Sequence, residues 1–171
     1  MAAGSTYCPI ATTTVSGTST TTVTFSSIPS TYTDLVLVTN SGSSTASDLN
    51  FELNSNQGNS YSWTTLGGDG SSAYSARYTN QTYSGRLNYV GYQSTNNYSQ
   101  VVIAHFMNYA NTTTYKSILS RYNQASSVSG AAVALWRSTS AITTIDLAAF
   151  SPGTGQFGSG STFTLYGILA A

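Results

Sequence analysis

The chain has 171 residues, with five Lys and Arg balanced by five Asp and Glu, so its formal net charge is zero and only 6% of its residues are charged. At 40% hydrophobic and 12% aromatic it is unlike disordered sequences, which join low hydrophobicity to high charge, and its length lets it fold without a disulfide or a metal. No Lys and Arg cluster offers a footprint for a nucleic-acid backbone or an anionic membrane surface, and so little charge leaves a free monomer prone to associate.

Residues 1–20 (MAAGSTYCPIATTTVSGTST) are small and polar, with Ile10 and Val15 as the sizeable aliphatics. They read as an extended N-terminal arm that is mobile or ordered against a neighbour, ahead of a single domain over 21–171. Cys8 is alone, which excludes an internal disulfide, and reads as a small residue near a flexible or packed terminus. No basic segment followed by an apolar run opens the chain, and no apolar run reaches membrane-spanning length.

From residue 21 the apolar period is two. Thr21, Val23 and Phe25 alternate and exit through Ile28-Pro29. Residues 34–39 (DLVLVT) are apolar on both faces, as expected of a central strand covered on two sides. Residues 48–54 alternate strictly, with Leu49, Phe51 and Leu53 opposite Asp48, Asn50, Glu52 and Asn54, the pattern of a half-buried strand. Further strands are expected over 61–66, 74–79, 86–92, 101–107, 114–122, 131–137, 142–150 and 162–168, the run 101–107 (VVIAHFM) again reading as covered on both sides. Thr, Val, Ile, Tyr and Phe fill these segments and suit a pleated surface. Turn clusters such as Asn40-Ser41-Gly42, Gly67-Gly68-Asp69-Gly70 and Ser151-Pro152-Gly153 separate them. No stretch shows helical spacing. The reading is an all-β, antiparallel two-sheet sandwich of about ten strands, jelly-roll-like.

The residues that enzymes need are scarce, and the chain reads as non-enzymatic. His105 shares a face with Val101, Ile103 and Met107 and reads as a half-buried histidine rather than a general base. Gly158-Ser159-Gly160 reads as a turn, not a nucleophile elbow. One Cys and one His cannot build a structural zinc site, and Asp34, Asp48, Glu52, Asp69 and Asp146 are too dispersed for calcium. Asp48 and Glu52 project from the polar side of one strand, a solvated face before a glycosidase pair. No catalytic, cofactor or metal residues are assigned.

Binding is the chemistry this composition favours. Tyr61, Trp63, Tyr74, Tyr78, Tyr83, Tyr89, Tyr92 and Tyr98 stand among Ser, Asn and Gly, and tyrosines in such surroundings bury area at low entropic cost. They face either a neighbour or the domain's own core. Tyr7 and Ile10 in the arm and Arg137 after Trp136 complete the interface candidates, Arg being enriched at hot spots.

Three stretches, TFSSIPSTYTDLVLV (24–38), ALWRSTSAITTIDL (134–147) and GSGSTFTLYGILA (158–170), resemble small bacteriophage and prophage virion proteins. Such proteins share a strand closing in Ser-Ile-Pro, a Trp-Arg-Ser-Thr-Ser-Ala-Ile-Thr segment and a final Ser-Thr-Phe-Thr-Leu-Tyr-Gly-Ile strand. The resemblance implies a virion structural protein, most readily a capsid decoration or cement protein that bridges adjacent capsomers. Its partners would be copies of itself, as trimer or dimer, and the major capsid protein. The alternative is a tail-fibre or receptor-binding module that meets tail proteins or stacks Tyr and Trp on a host glycan. No cofactor, nucleic acid or membrane enters either reading.

Overall fold

The computed structural model describes residues 6–43, 48–82, 85–88, 100–124, 128–150 and 155–169. Alternating apolar residues become strands in most described segments that the periodicity marks; of the strand expected over 86–92, Arg86 is in one, Leu87 and Asn88 are not, and 89–92 lie outside the described residues. In chain order the strands are β1 (Tyr7–Thr14), β2 (Thr22–Phe25), β3 (Asp34–Ser41), β4 (Asp48–Leu53), β5 (Tyr61–Gly68) and β6 (Ala73–Gln81). They continue with β7 (Gly85–Arg86), β8 (Gln100–Phe106), β9 (Lys116–Gln124), β10 (Val128–Trp136), β11 (Ile145–Phe150) and β12 (Thr162–Ile168). No helix occurs among the described residues.

All strand pairings among the described residues are antiparallel. Eight strands form a large sheet in the order β1-β12-β3-β8-β9-β10-β5-β6, and four form a small one in the order β2-β11-β4-β7. A jelly roll spreads eight strands over two sheets; here the division is eight and four. The sandwich is therefore described as two unequal antiparallel sheets.

One apolar core lies between them. Leu35, Leu37, Val102, Phe106, Ile118, Trp136, Phe163 and Leu165 of the large sheet face Val23, Phe25, Leu49, Phe51, Leu53, Ile145 and Leu147 of the small one. The Phe51 and Phe106 rings join the layers edge to face, with centroids 5.9 Å apart. Burial of this area is the main drive to fold.

Two expectations change. Residues 7–14 form β1, which pairs along β12 from Tyr7 opposite Ile168 to Thr14 opposite Thr162, with a bulge between Pro9 and Ala11. The periodicity was hidden there because an edge strand covered on one side needs few large side chains, and Pro9 and the bulge are features natural edges carry. The run 101–107 is covered on one face only: Val102, Ala104 and Phe106 are buried, while Val101 and Met107 are exposed. The large sheet has one layer packed on its inside, so hydrophobicity on both faces of β8 did not mean burial of both.

At one end of the sandwich, loops lock the layers together. Asn54, in the left-handed region at φ 52°, accepts hydrogen bonds at Oδ1 from Thr143 N (2.9 Å) and Thr144 N (3.0 Å), and its Nδ2 donates to Ala141 O at 2.7 Å. Ile28 N donates to Thr143 O at 3.0 Å, and the Tyr109 hydroxyl donates to Pro29 O.

Lys116 is buried at this end, with Nζ donating to the carbonyls of Thr114 (2.8 Å) and Thr139 (3.4 Å). Burial lowers its pKa below the ordinary 10.5, so the unfolded chain holds this proton more tightly than the folded one. The cost is fully present below the folded pKa and disappears as pH rises through the window up to 10.5. Lys116→Met is therefore expected to be at least as stable as wild type at pH 7, with water satisfying the two exposed threonines' carbonyls. Urea unfolding should show that advantage shrinking as pH rises toward 10.5 and gone above it.

Candidate functional site: the outer face of the large sheet

Strand register determines what the outer face presents. Across the sheet, one row runs Val36, His105, Leu119, Val133, Thr64, Arg77, and the next runs Val38, Ile103, Arg121, Ala131, Leu66, Ser75. Several large apolar side chains here are open to solvent: Leu66 61%, Val133 51%, Leu119 45%, Met107 40% and Val101 37% exposed. Antiparallel sheets with one wet face normally place polar residues there. This one does not.

The four strands β8, β9, β10 and β5 span roughly 450 Å² at ~4.8 Å between strands and ~3.3 Å per residue. Exposed apolar patches of several hundred Å² mark interaction sites. Among the described residues three shallow depressions indent the face, one of them of ≈ 310 Å³ over Thr64, Arg77, Ser117 and Val133; the other two lie side by side. One, of ≈ 400 Å³, is lined by Ile103, His105, Met107, Leu119, Ser120, Arg121 and Ala131. The other, of ≈ 220 Å³, adjoins it along Val101, Ile103, Arg121, Tyr122 and Asn123.

Charge on the two outer faces is unevenly divided: the large sheet has one outward carboxylate, Asp34 at the start of β3, which accepts from Asn108 N at 2.6 Å. Arg77 and Arg121 are exposed on the large sheet, and no carboxylate stands in either row. The small sheet carries Asp48, Glu52 and Asp146, with Arg86 paired to Asp48. Glu52 and Asp146 are directly opposite in the β4–β11 ladder, and like charges so placed repel. Burial and then the Asp146 carboxylate raise the Glu52 pKa above its ordinary 4.5, while a hydrogen bond from Gln57 works the other way. A raised carboxylate pKa means the folded state holds the proton more tightly. Glu52 therefore costs stability above its folded pKa, and the cost lifts as pH falls through that value toward 4.5. Glu52→Gln should stabilise the protein at pH 7 by up to about 0.5–1 kcal/mol. Thermal melts at low salt should show the gain fading as pH falls toward 4.5 and gone below it.

The interface candidates divide differently. Tyr61 and Trp63 point inward and are 0% and 3% exposed. Tyr61 packs edge to face on Phe51 at 5.9 Å, and Leu53 N donates to its hydroxyl at 3.0 Å; burial pushes that phenol up to about 12. Trp63 stacks on Tyr78 with centroids 4.2 Å apart. Tyr74 reaches Tyr122 hydroxyl to hydroxyl at 3.2 Å, and Tyr122 meets Thr65 Oγ1 at 2.9 Å. These aromatics cover the chain's own interior, because even positions on β6 and odd ones on β5 face the small sheet. Tyr78 keeps one exposed side, and Tyr7 is exposed beside Tyr166 at 6.1 Å. Ile10 is half-buried against the core. Arg137 binds within the chain, donating to Asn59 O (2.5 Å) and Asn80 Oδ1 (3.0 Å). Tyr83, Tyr89, Tyr92 and Tyr98 lie outside the described residues.

Sequence reasoning missed Leu66, Leu119, Val133 and Arg121. The available signal was β8's apolar outer side, which reads as burial until the layers are counted. His105 sits on this face between Val36 and Leu119. Among the described residues no group of three or more His, Cys, Asp or Glu could hold a metal ion.

The molecule is thus a two-layer β-sandwich with an open apolar and cationic face. No protein-family profile, curated protein or solved structure matches the chain. Residues 24–38, 134–147 and 158–170 meet one another in the fold. β2 pairs with β11, β3 with β12, and the Ser-Ile-Pro turn meets Thr143. They form the part of the fold that joins the two layers.

Proposed function

We propose that this chain is a structural protein of a bacteriophage particle, acting as a decoration or cement protein on the capsid. The observation that carries the reading is the solvent-exposed apolar face of β8, β9, β10 and β5, presented on a rigid sheet. Such a face lowers free energy by being covered, and a protein whose work is adhesion needs little else. The low charge and zero net charge remove long-range repulsion between many copies on one shell. The resemblance of residues 24–38, 134–147 and 158–170 to virion proteins points the same way.

Bound to the shell, the domain would add buried area that must be broken before capsomers separate. The glycan-binding alternative gains less support. Trp63 and Tyr61 are inside the core, so neither offers a flat ring to a sugar. The test is the copy number of the protein relative to the major capsid protein in purified virions. A ratio near one, or a simple fraction set by icosahedral symmetry, is expected. A handful of copies per particle would move the protein to the tail and overturn the decoration reading.

A further inference from the structure

We propose that the outer face of the large sheet docks a different protein, through an apolar surface of that partner that carries carboxylates. The inference rests on the virion reading above and specifies the partner's chemistry.

The face pairs exposed Leu66, Leu119 and Val133 with the cations Arg77 and Arg121. Arg121 stands in the middle of it, with Ile103 and Ala131 as cross-strand neighbours. A guanidinium set among apolar side chains loses hydration when the face is covered, and that loss is offset when the partner supplies a carboxylate in bidentate reach. Neither row of the face contains one.

A second copy does not meet this need. Face-to-face pairing of two large sheets brings apolar patches together but sets Arg77 and Arg121 against rows without carboxylates, since Asp34, at the outer end of β3, lies outside those rows and already accepts from Asn108 N. Head-to-tail stacking brings Glu52 and Asp146 of one copy to Arg121 of the next, but it presses Leu119 and Val133 onto a face built from Thr22, Thr24, Glu52, Asp146 and Ala148. That surface gives charge without apolar complement. A partner that combines both satisfies the whole face, and charge complementarity of this kind governs specificity and association rate.

The experiment uses particles purified from a phage deleted for this protein, to which purified full-length chains are added and bound copies counted. Wild type is compared with Arg121→Glu and with the double variant Leu119→Ser, Val133→Ser, all substitutions at exposed positions. Sedimentation of each free protein runs alongside, and circular dichroism verifies the fold. Saturable wild-type binding, weakened by salt and at least tenfold weaker for both variants, with unchanged sedimentation, is expected. Wild-type affinity in Arg121→Glu would overturn the charged part of the proposal and leave the virion reading standing. Free wild type that self-associates, and variants that do not, would make the occupant a second copy and overturn the proposal. Wild type that binds no particle would overturn the virion reading and this inference together.

Discussion

Phe51→Ala is expected to lose about 3–5 kcal/mol of folding stability, the usual cost of removing a fully buried aromatic ring. Phe51 is 0% exposed and makes edge-to-face contacts at 5.9 Å with both Tyr61 and Phe106, so its ring joins the small sheet to the large one. Its cross-strand partner is Gly85, and the ring occupies the space a side chain at Gly85 would take. That pairing of a large and an absent side chain means Gly85 has nothing with which to refill the cavity, which places the cost toward the upper end. Urea unfolding measures it: the midpoint should fall while the slope stays unchanged. A domain of this size holds roughly 5–15 kcal/mol in total, so the loss is a large share. A change under about 1 kcal/mol would mean that the layers are not joined through this residue. Gly85→Val should destabilise for the complementary reason, since Phe51 already fills the position.

Arg86→Ala is expected to cost roughly 2–4 kcal/mol, through loss of an ion pair and a ring contact together. The Arg86 guanidinium pairs with Asp48, and their side chains are only 22% and 9% exposed. It also lies 5.0 Å from the Trp63 ring centroid and 6.0 Å from that of Tyr78. Removing it leaves a carboxylate with little access to water and strips one face of a stacked aromatic pair. Arg86→Lys should recover only part of the loss, because an ammonium has neither the planar fork nor the stacking surface. A double-mutant cycle with Asp48→Ala separates the terms. If the ion pair dominates, the double variant is scarcely worse than Arg86→Ala; if stacking on Trp63 dominates, the two losses add.

That second case shows where sequence reasoning stopped. Asp48 alternates with Leu49 and reads as a solvated residue, yet it is 7% exposed. Arg86 reaches it from a two-residue strand, and nothing at a separation of 38 residues announces that meeting. Trp63 and Tyr78 read as a contact surface among Ser, Asn and Gly. Their composition suits either an interface or a core, and only the pairing of β5 with β6 turns them inward.

Much of the architecture was legible from the chain alone. Period-two alternation reports a strand directly, since successive side chains leave opposite faces of the backbone, and Leu49, Phe51 and Leu53 were assigned to the inner face by that rule. Turn residues bounded the elements because Gly, Asn and Pro restrict or permit particular backbone angles. The all-β class followed from those two local effects. Which strands neighbour one another is a non-local matter. The tertiary structure alone decided that eight strands share one sheet and four the other, that residues 7–14 add an edge to β12, and that β8 has an uncovered side. The physical reason is that hydrophobicity records a preference for leaving water without recording what will cover it. Ile118 and Leu119 are both apolar neighbours on β9, and one meets the small sheet while the other is left facing solvent.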